Sequence, residues 1–458
     1  MVRVRFAPSP TGRLHLGNAR TAVLNALFAA HHGGAFVLRI DDTDDARCRP
    51  EYVQDIQQDL RWLGLSWDEE FTQSSNVENH RILFQTLKDS GRLYPCFETS
   101  EQLAIWREQQ LSAHLPPRYD REKGKSVPEH DHPYWRFALS EKEVQWHDLI
   151  QGPMVCDTRH LSDPVVMRQD GTMSYVLASV MDDVDRRITH IIRGADHLTN
   201  TAIQIEMMHA LGANIPCWAH FPLMLDQNGD KFSKRSGSKT LRELKEDGWL
   251  PLAIVQAVAQ LGLSHQISGD FAHMASHFSL SEYSKSNGKF SIDDVAIVQS
   301  RLWAHMAHGD LSPDLQGSID SGLWPVVRNN IVLAGDIARW QQICTDPHWV
   351  AHDGMDCSNV SQNFCTTAIN ALKTGVVCKQ SIENSGELLW QTDPWHHWVD
   401  AIMVIDPNLK KGVVARTLRM MLTARTGGPK MEDLLPLLPP KIVLCRLERM
   451  HDVLLGQP

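Results

Sequence analysis

Two short stretches hold residue types that could handle a nucleotide. In RFAPSPTGRLHLGNART, which starts at Arg5, a run rich in Pro, Ser and Gly leads to His15 and Asn18. In GDKFSKRSGS, from Gly229, Lys231 and Lys234 flank Ser233, and Arg235 follows. The first N–H groups of a helix have no intrahelical partner, and the dipole there favours anions. His15 and Asn18 would add side-chain donors to such a site. The lysines would bring mobile positive charge. One stretch would then hold a base and an α-phosphate, while the other clamps the β- and γ-phosphates as pyrophosphate leaves. A displacement of this kind needs positioning and charge stabilisation and no covalent nucleophile. Each stretch also has a plainer reading, the first as an ordinary strand-to-helix connection and the second as a solvated surface turn.

The elements that must position these residues follow from periodicity. VRVRF alternates Val2, Val4 and Phe6 with Arg3 and Arg5, the period of a strand, and Leu16, Leu24, Leu27 and Phe28 then recur near helical spacing. Phe36 to Ile40 reads as a second strand that ends in carboxylates, Asp41, Asp42, Asp44 and Asp45. RPEYVQDIQQDLRWLGLSW predicts a helix with Pro50 in its first turn, an apolar face of Val53, Ile56, Leu60 and Leu63, and a stop at Gly64. ENHRILFQTLKDSG predicts another, ending at Gly91. From Tyr94 to about Val166 periodicity weakens and prolines become frequent, which reads as an insertion with strands near YWRFAL and GPMVCDT. YVLASVMDDVDRRITHIIRG is expected to resume strand-like runs, and NTAIQIEMMHALGA a helix. Strands alternating with helices on either side of an insertion predict an open, mostly parallel sheet interrupted by a second domain. Beyond Lys231 strand signals fade, and a change of character near residues 300–320 marks the start of a helical C-terminal half.

Composition narrows the function class. A chain of 458 residues with 42% hydrophobic and 22% charged residues has room for several globular domains. No apolar stretch approaches the ~20 residues that span a bilayer, and Arg3, Arg5, Pro8 and Pro10 interrupt any signal-peptide core. The nine cysteines form no CxxC or CxC pair, so neither a disulfide framework nor a zinc ribbon is expected, and a reducing, cytoplasmic setting is the simplest account. The net charge of −10 gives no global sign of nucleic-acid binding. A local stripe, Lys410, Lys411, Arg416, Arg419 and Arg425, could still meet phosphates, because screening limits distant charges to ~10 Å. An amphipathic helix whose arginines face water is the plainer alternative.

Taken together, the stretches resemble the class I aminoacyl-tRNA synthetases, specifically the glutamyl-tRNA synthetases of bacterial type. His15-Leu16-Gly17-Asn18 stands at the HIGH signature of that class and Lys231-Phe232-Ser233-Lys234-Arg235 at KMSKS. RFAPSPTG, LRIDDTD, LRWLGLSWDE, GRLYPC, PPRYD, ITHIIRGADHLTNT and LTARTGGP are also similar to family sequence, in the expected order over nearly the whole chain. The resemblance implies a Rossmann-type doubly wound parallel sheet in two halves, residues 1–90 and 171–230. Between them it implies an inserted α+β acceptor-end-binding domain, 91–170. A KFSKR loop and stem-contact helical domain, 231–315, and an all-helical anticodon-binding region, 316–458, would follow.

It further implies ATP-dependent attachment of glutamate to the 3′ end of tRNA(Glu) through a glutamyl-adenylate, with tRNA(Gln) as a further candidate partner. His15, Lys231 and Lys234 would be catalytic. Ser9, His15, Gly17, Asn18, Lys231, Ser233 and Lys234 would bind ATP, with Gly17 letting the adenine approach the backbone. Arg5, Ala7, Ser9, Asp41, Tyr175, Ser179 and Arg193 would bind L-glutamate. In that scheme Arg5 and Tyr175 read the γ-carboxylate, Arg193 the α-carboxylate, and Asp41 with Ser9 the ammonium. The stripe from Lys410 to Arg425 would contact tRNA. Magnesium would arrive with ATP, so no protein metal ligands are named. A monomer without membrane attachment is expected.

Several residues keep alternatives. Arg5 could pair with Asp41 across neighbouring strands, and Tyr175 could be a half-buried strand aromatic. His197, His209 and His220 read as structural or solvent-facing. Many relatives have glutamate at the place of Asp41 and asparagine at that of Ser179, which alters their reach. Some relatives carry a zinc knuckle in the insertion; here only Cys96 remains, followed by FETS, so no structural zinc is expected. A queuosine-modifying glutamyl transferase would lack the long helical half, and a glutaminyl-tRNA synthetase would have β-barrels there. A silent tRNA-binding paralogue would not need His15, Lys231, Lys234 and Arg5.

Overall fold

The computed structural model describes residues 1–44, 46–129, 131–230, 239–349, 360–375, 377–380 and 388–455. Lys231, Ser233 and Lys234 lie outside the described residues. The chain forms two compact units, Met1–Glu246 with Leu250–Val295, and Asp247–Trp249 with Ala296–Pro458. Among the described residues no helix is long and apolar enough to cross a membrane.

In the first unit the order is β1 (Arg3–Phe6), α1 (Leu16–His31), β2 (Ala35–Ile40), α2 (Pro50–Trp62), β3 (Glu69–Thr72) and α3 (Val77–Asp89). The three strands are parallel in the order β1-β2-β3, with Arg5 level with Val37 and Arg39 level with Phe71. β2 is buried along its whole length, as a strand covered on both faces must be, so its one arginine needs partners inside the protein. Proline stands in the first turn of α2, and Gly64 takes φ +78° just beyond it, as the sequence predicts.

Then come β4 (Leu93–Cys96), α4 (Ser100–Ser112), α5 (Arg121–Gly124), β5 (Tyr134–Phe137), β6 (Glu143–Asp148), β7 (Gly152–Asp157) and β8 (Val165–Met167). β4, β5 and β8 make a small antiparallel sheet. The β6–β7 hairpin does not stay with it. After α6 (Tyr175–Asp185), β9 (His190–Gly194), α7 (Leu198–Ala210) and β10 (Cys217–Phe221), a second sheet runs β7-β6-β10-β9, with β9, β10 and β6 parallel. Asp148, at the end of β6, is level with Trp218. Thr189 N–H donates to the Arg3 carbonyl at 3.0 Å, which sets β9 beside β1 and joins the two parallel sets.

The strand-like reading of YVLASVMDDVDRRITHIIRG is corrected. Only its end is strand; Tyr175–Asp185 is helix. Leu177, Val180 and Met181 recur at helical spacing, and all three are buried in the core shared with Ile191 and Trp218. An apolar run covered on most sides hides the helical period behind β-branched composition. Tyr175 is accordingly the first residue of a helix and exposed, not a strand aromatic.

Among its described residues the second unit is helical apart from one antiparallel pair, Cys378–Gln380 with Leu388–Trp390, a departure from the all-helical expectation. Trp398 donates to the Ala368 carbonyl at 3.0 Å and Arg446 to the Leu422 carbonyl at 2.6 Å, tying helices Gln362–Lys373, Pro394–Ile405, Lys411–Thr423 and Pro440–Leu455 together.

The approach to β2 has no room for a side chain. A Cβ at Gly34 would stand 2.6 Å from the Val2 carbonyl oxygen, and Ala35 N–H bonds that same carbonyl at 2.9 Å. Gly34→Ala should therefore displace the β1–β2 pairing and cost about 1–3 kcal/mol, measured by denaturant unfolding.

Candidate active site

The HLGN turn is built as a helix cap. His15 precedes α1, its Nδ1 accepts the Gly17 N–H at 3.0 Å, and the Asn18 side-chain oxygen accepts the His15 N–H at 3.1 Å. The spacing of three between His15 and Asn18 makes this reciprocal pair possible. With Nδ1 accepting, a neutral His15 ring carries its proton on Nε2 and becomes a donor at the helix mouth. Leu241 N–H bonds the Leu14 carbonyl at 2.9 Å, so the chain that follows residues 231–238 returns to this turn.

Beside the cap lies a cavity of about 350 Å³. Arg5, Ala7, Ser9, His15, Gly17, Asn18, Tyr175 and Arg193 are among the residues that line it, which brings together eight of the expected site residues. Asp41 and Ser179 are not among the lining residues. Both are engaged by Arg39, a residue that sequence reasoning did not single out. Arg39 grips Asp41 with two bonds, at 2.6 and 3.2 Å, and reaches Asp183 at 3.0 Å and the Ser179 hydroxyl at 3.1 Å. The Arg5–Asp41 pair is not formed; Arg5 bonds Asp183 at 3.1 Å instead. Asp41 follows directly on β2, two residues from Arg39, which holds it.

Electrostatics follow from this packing. Burial works against charge on Arg39, but Asp41 and Asp183 hold its pKa above the ordinary value. Burial pushes Asp41 up to about 6, with Arg39 opposing. Asp182 is buried too, yet bonds from His80 (2.7 Å), Gln73 (2.7 Å) and Asn76 (2.9 Å), with Arg39 nearby, keep it below the usual carboxylate range.

Arg193 differs in kind. It is buried, and its hydrogen-bond partners are neutral: His220 Nε2 at 3.2 Å, the Thr201 hydroxyl at 2.8 Å and the His197 carbonyl at 3.4 Å. Its Nη1 has no hydrogen-bond partner among the described residues. Burial lowers its pKa to about 10, with Tyr175 opposing. A buried cation on a cavity wall, hydrogen-bonded to neutral groups, keeps a charge that an anion could meet.

Of the three histidines expected to be structural or solvent-facing, only His197 lines the cavity. His209 is exposed, His197 lines the cavity 5.8 Å from the Tyr175 ring, and His220 is fully buried against Asp148 at 2.5 Å. The missed residues did leave a signal. Asp182 and Asp183 sit in the apolar run VMDDVD, and His220 lies between Ala219 and Phe221, where a polar group must be partnered if the element is buried.

Elsewhere, Cys96 is buried and its thiol is pushed up to about 11. Glu98 accepts from the Tyr119 and Tyr134 hydroxyls, each at 2.8 Å, so the carboxylate nearest in sequence is already occupied. Among the described residues no group of three His, Cys, Asp or Glu is placed to hold a metal ion. The basic stripe breaks up: Arg419 bonds the Pro429 carbonyl at 2.7 Å and Arg425 lies over Trp340, while Lys410, Lys411 and Arg416 are exposed.

The cavity thus stands beside a capped turn that follows the first strand of a parallel sheet. The family described as tRNA synthetases class I (E and Q), catalytic domain, matches residues 1–296. The chain belongs to this family and, within it, to the glutamate–tRNA ligases. It is 38% identical to glutamate–tRNA ligase 2 of Granulibacter bethesdensis over 100% of both chains. With glutamate–tRNA ligase 2 of Gluconacetobacter diazotrophicus the identity is 37%, covering 95% of this chain and 97% of that one. The fold is similar to that of a glutamate tRNA ligase from Elizabethkingia meningosepticum, with a TM-score of 0.79, 24% identity and 99% of each chain covered.

Two outcomes are expected. Arg39→Met leaves the buried Asp41 without its cation and takes one of two arginines from Asp183, and should cost about 3–5 kcal/mol, read from chemical unfolding. His220 and His190 are held below the ordinary imidazole value of 6.5 chiefly by burial. Unfolding then releases sites that take up protons the folded state does not bind. Stability from this source is complete above pH 6.5 and declines as pH falls below it, seen as a dropping Tm from about pH 7 to about pH 5.

Proposed function

We propose that this protein attaches L-glutamate to the 3′ end of tRNA(Glu) in two steps, forming glutamyl-adenylate from ATP and then transferring the glutamyl group, with release of diphosphate and AMP. The observation that supports it most is Arg193, a buried guanidinium on the cavity wall with neutral partners and room for a carboxylate. In this reading Arg193 takes the substrate α-carboxylate, and Arg5 with the Tyr175 hydroxyl takes the γ-carboxylate. Glutamine would offer Arg5, which also bonds Asp183, a neutral amide in place of the γ-carboxylate, which favours glutamate. Ser9 and Ala7 complete the amino-acid end. Asp41 and Ser179 act through Arg39, holding α6 and the first strands in place.

His15 Nε2, Asn18 and the first turn of α1 meet the phosphates, and Gly17 leaves space for the adenine. Lys231, Ser233 and Lys234 would bring charge to the β- and γ-phosphates, and magnesium would come bound to ATP. Residues 91–170 would receive the acceptor end, 231–315 the inner stem, and 316–458 the anticodon. Lys410, Lys411 and Arg416 are the stripe residues best disposed toward phosphates, with Arg419 and Arg425 supporting them. The protein would work as a cytoplasmic monomer.

The test is transfer of labelled glutamate to purified tRNA(Glu) and tRNA(Gln) transcripts, with ATP and magnesium and with glutamine as a parallel amino acid. Charging of tRNA(Glu) with glutamate is expected; charging of neither transcript overturns the reading. Charging of both would make the enzyme non-discriminating and require an amidating partner. Lys234→Ala should slow adenylate formation by at least about 100-fold and leave tRNA affinity near the parent value, because the lysine would act on charge that develops at the phosphates.

A further inference from the structure

Arg193 is held by a chain of buried groups that begins in the inserted segment. Asp148 closes β6, and its two oxygens do different work. Oδ1 accepts three backbone N–H groups, from Ile150 at 3.0 Å, Gln151 at 2.9 Å and His220 at 3.1 Å. Oδ2 takes Nδ1 of His220 at 2.5 Å. Both side chains are fully buried. A carboxylate accepting at Nδ1 puts the imidazole proton there, so Nε2 is left as a lone pair. That lone pair faces two donors, Arg193 Nε at 3.2 Å and the Thr201 hydroxyl at 2.9 Å. Thr201 in turn accepts from Arg193 Nη2 at 2.8 Å. The guanidinium is thus held along its Nε and Nη2 edge, and Nη1 has no hydrogen-bond partner among the described residues.

From this geometry we propose that Asp148 and His220 are positioning residues for the amino-acid site. Asp148 selects the Nδ1–H tautomer of His220, and only that tautomer offers Arg193 an acceptor. The opposite tautomer would aim an N–H at the Arg193 Nε–H, and it would compete with Nη2 for the Thr201 oxygen. A protonated ring would add a second cation beside the first. The relay holds Arg193 with neutral groups and so leaves its charge for the substrate carboxylate. This inference rests on the reading of Arg193 as the α-carboxylate ligand.

Asp148→Asn separates this role from a structural one. The three backbone N–H groups on Oδ1 keep the asparagine oxygen where it is, so its NH2 group must turn toward His220 Nδ1. Nδ1 becomes the acceptor and the ring proton moves to Nε2, a tautomer reversal of the kind that a buried aspartate prevents in hydrolase triads. In the full-length protein, nitrogen NMR of labelled histidines should show His220 as Nδ1–H in the parent and Nε2–H in the variant. In tRNA charging, the KM for glutamate should rise about 10- to 100-fold, the loss of a hydrogen bond to a charged group, with the KM for ATP changed by less than about twofold. Thr201→Val, which removes one of the neutral holds on Arg193, should raise the glutamate KM in the same direction.

An Nε2–H ring or an imidazolium in the parent overturns the proposal. So does a reversed tautomer with an unchanged glutamate KM. Should Asp148→Asn fail to fold, the tautomer of the parent and the Thr201→Val kinetics still decide the matter. A parent protein that charges no tRNA defeats the proposed function instead, and the NMR result then stands as a separate reading of the relay.

Discussion

The Arg39 guanidinium is the contact around which the catalytic half is assembled. It sits in the middle of a strand buried on both faces, where an unpaired charge would be prohibitive. Its answer is a set of carboxylates from two elements: Asp41 at the end of its own strand, and Asp183, with Asp182 at 3.8 Å, from α6. The same Asp183 holds Arg5 of β1. Two neighbouring strands and the helix that follows the insertion are thereby fixed to one another by charge geometry. Apolar packing around Val37, Leu177 and Val180 supplies the bulk of the burial and would tolerate small slides. Bidentate arginine bonds would not.

Against this compensated cluster, the second arginine stands out. Arg5 and Arg193 both line the cavity, but Arg5 already has a carboxylate and Arg193 has an imidazole, a hydroxyl and a carbonyl. A protein holds a desolvated cation this way at a cost in stability, and gains by it a place where an anion completes the site. The helix cap that also lines the cavity adds donors, because His15 Nδ1 accepts one backbone N–H and a neutral ring then carries its proton on Nε2. The cavity therefore has two kinds of attraction for anions, one from side-chain charge and one from the helix end.

Much of this architecture is legible in the order of residues. The strand, turn and helix around HLGN, the first-turn Pro50 and the break at Gly64 all appear where periodicity puts them. Tyr175–Asp185 is not read as helix, because Val176, Val180 and Val184 give the run a strand-like composition that leads on into the true strand His190–Gly194. The basic stripe is legible only in part. Charge in a sequence reads as a solvated face, yet Arg419 and Arg425 spend their side chains on the Pro429 carbonyl and the Trp340 ring.

What the sequence by itself determined is whatever depends on near neighbours: the reciprocal cap of His15 and Asn18, three residues apart, and the alternation that sets Arg3 and Arg5 on their strand. Which acid answers which arginine was decided by the tertiary structure alone. Asp183 meets Arg5 across 178 residues, and Asp148 meets His220 across 72. The physical reason is that a charge in sequence carries no address. Arg5 could have paired with Asp41 by strand adjacency, and only the packing of α6 against β1 and β2, with the hydrogen bond from Arg39 already claiming Asp41, sends it to Asp183.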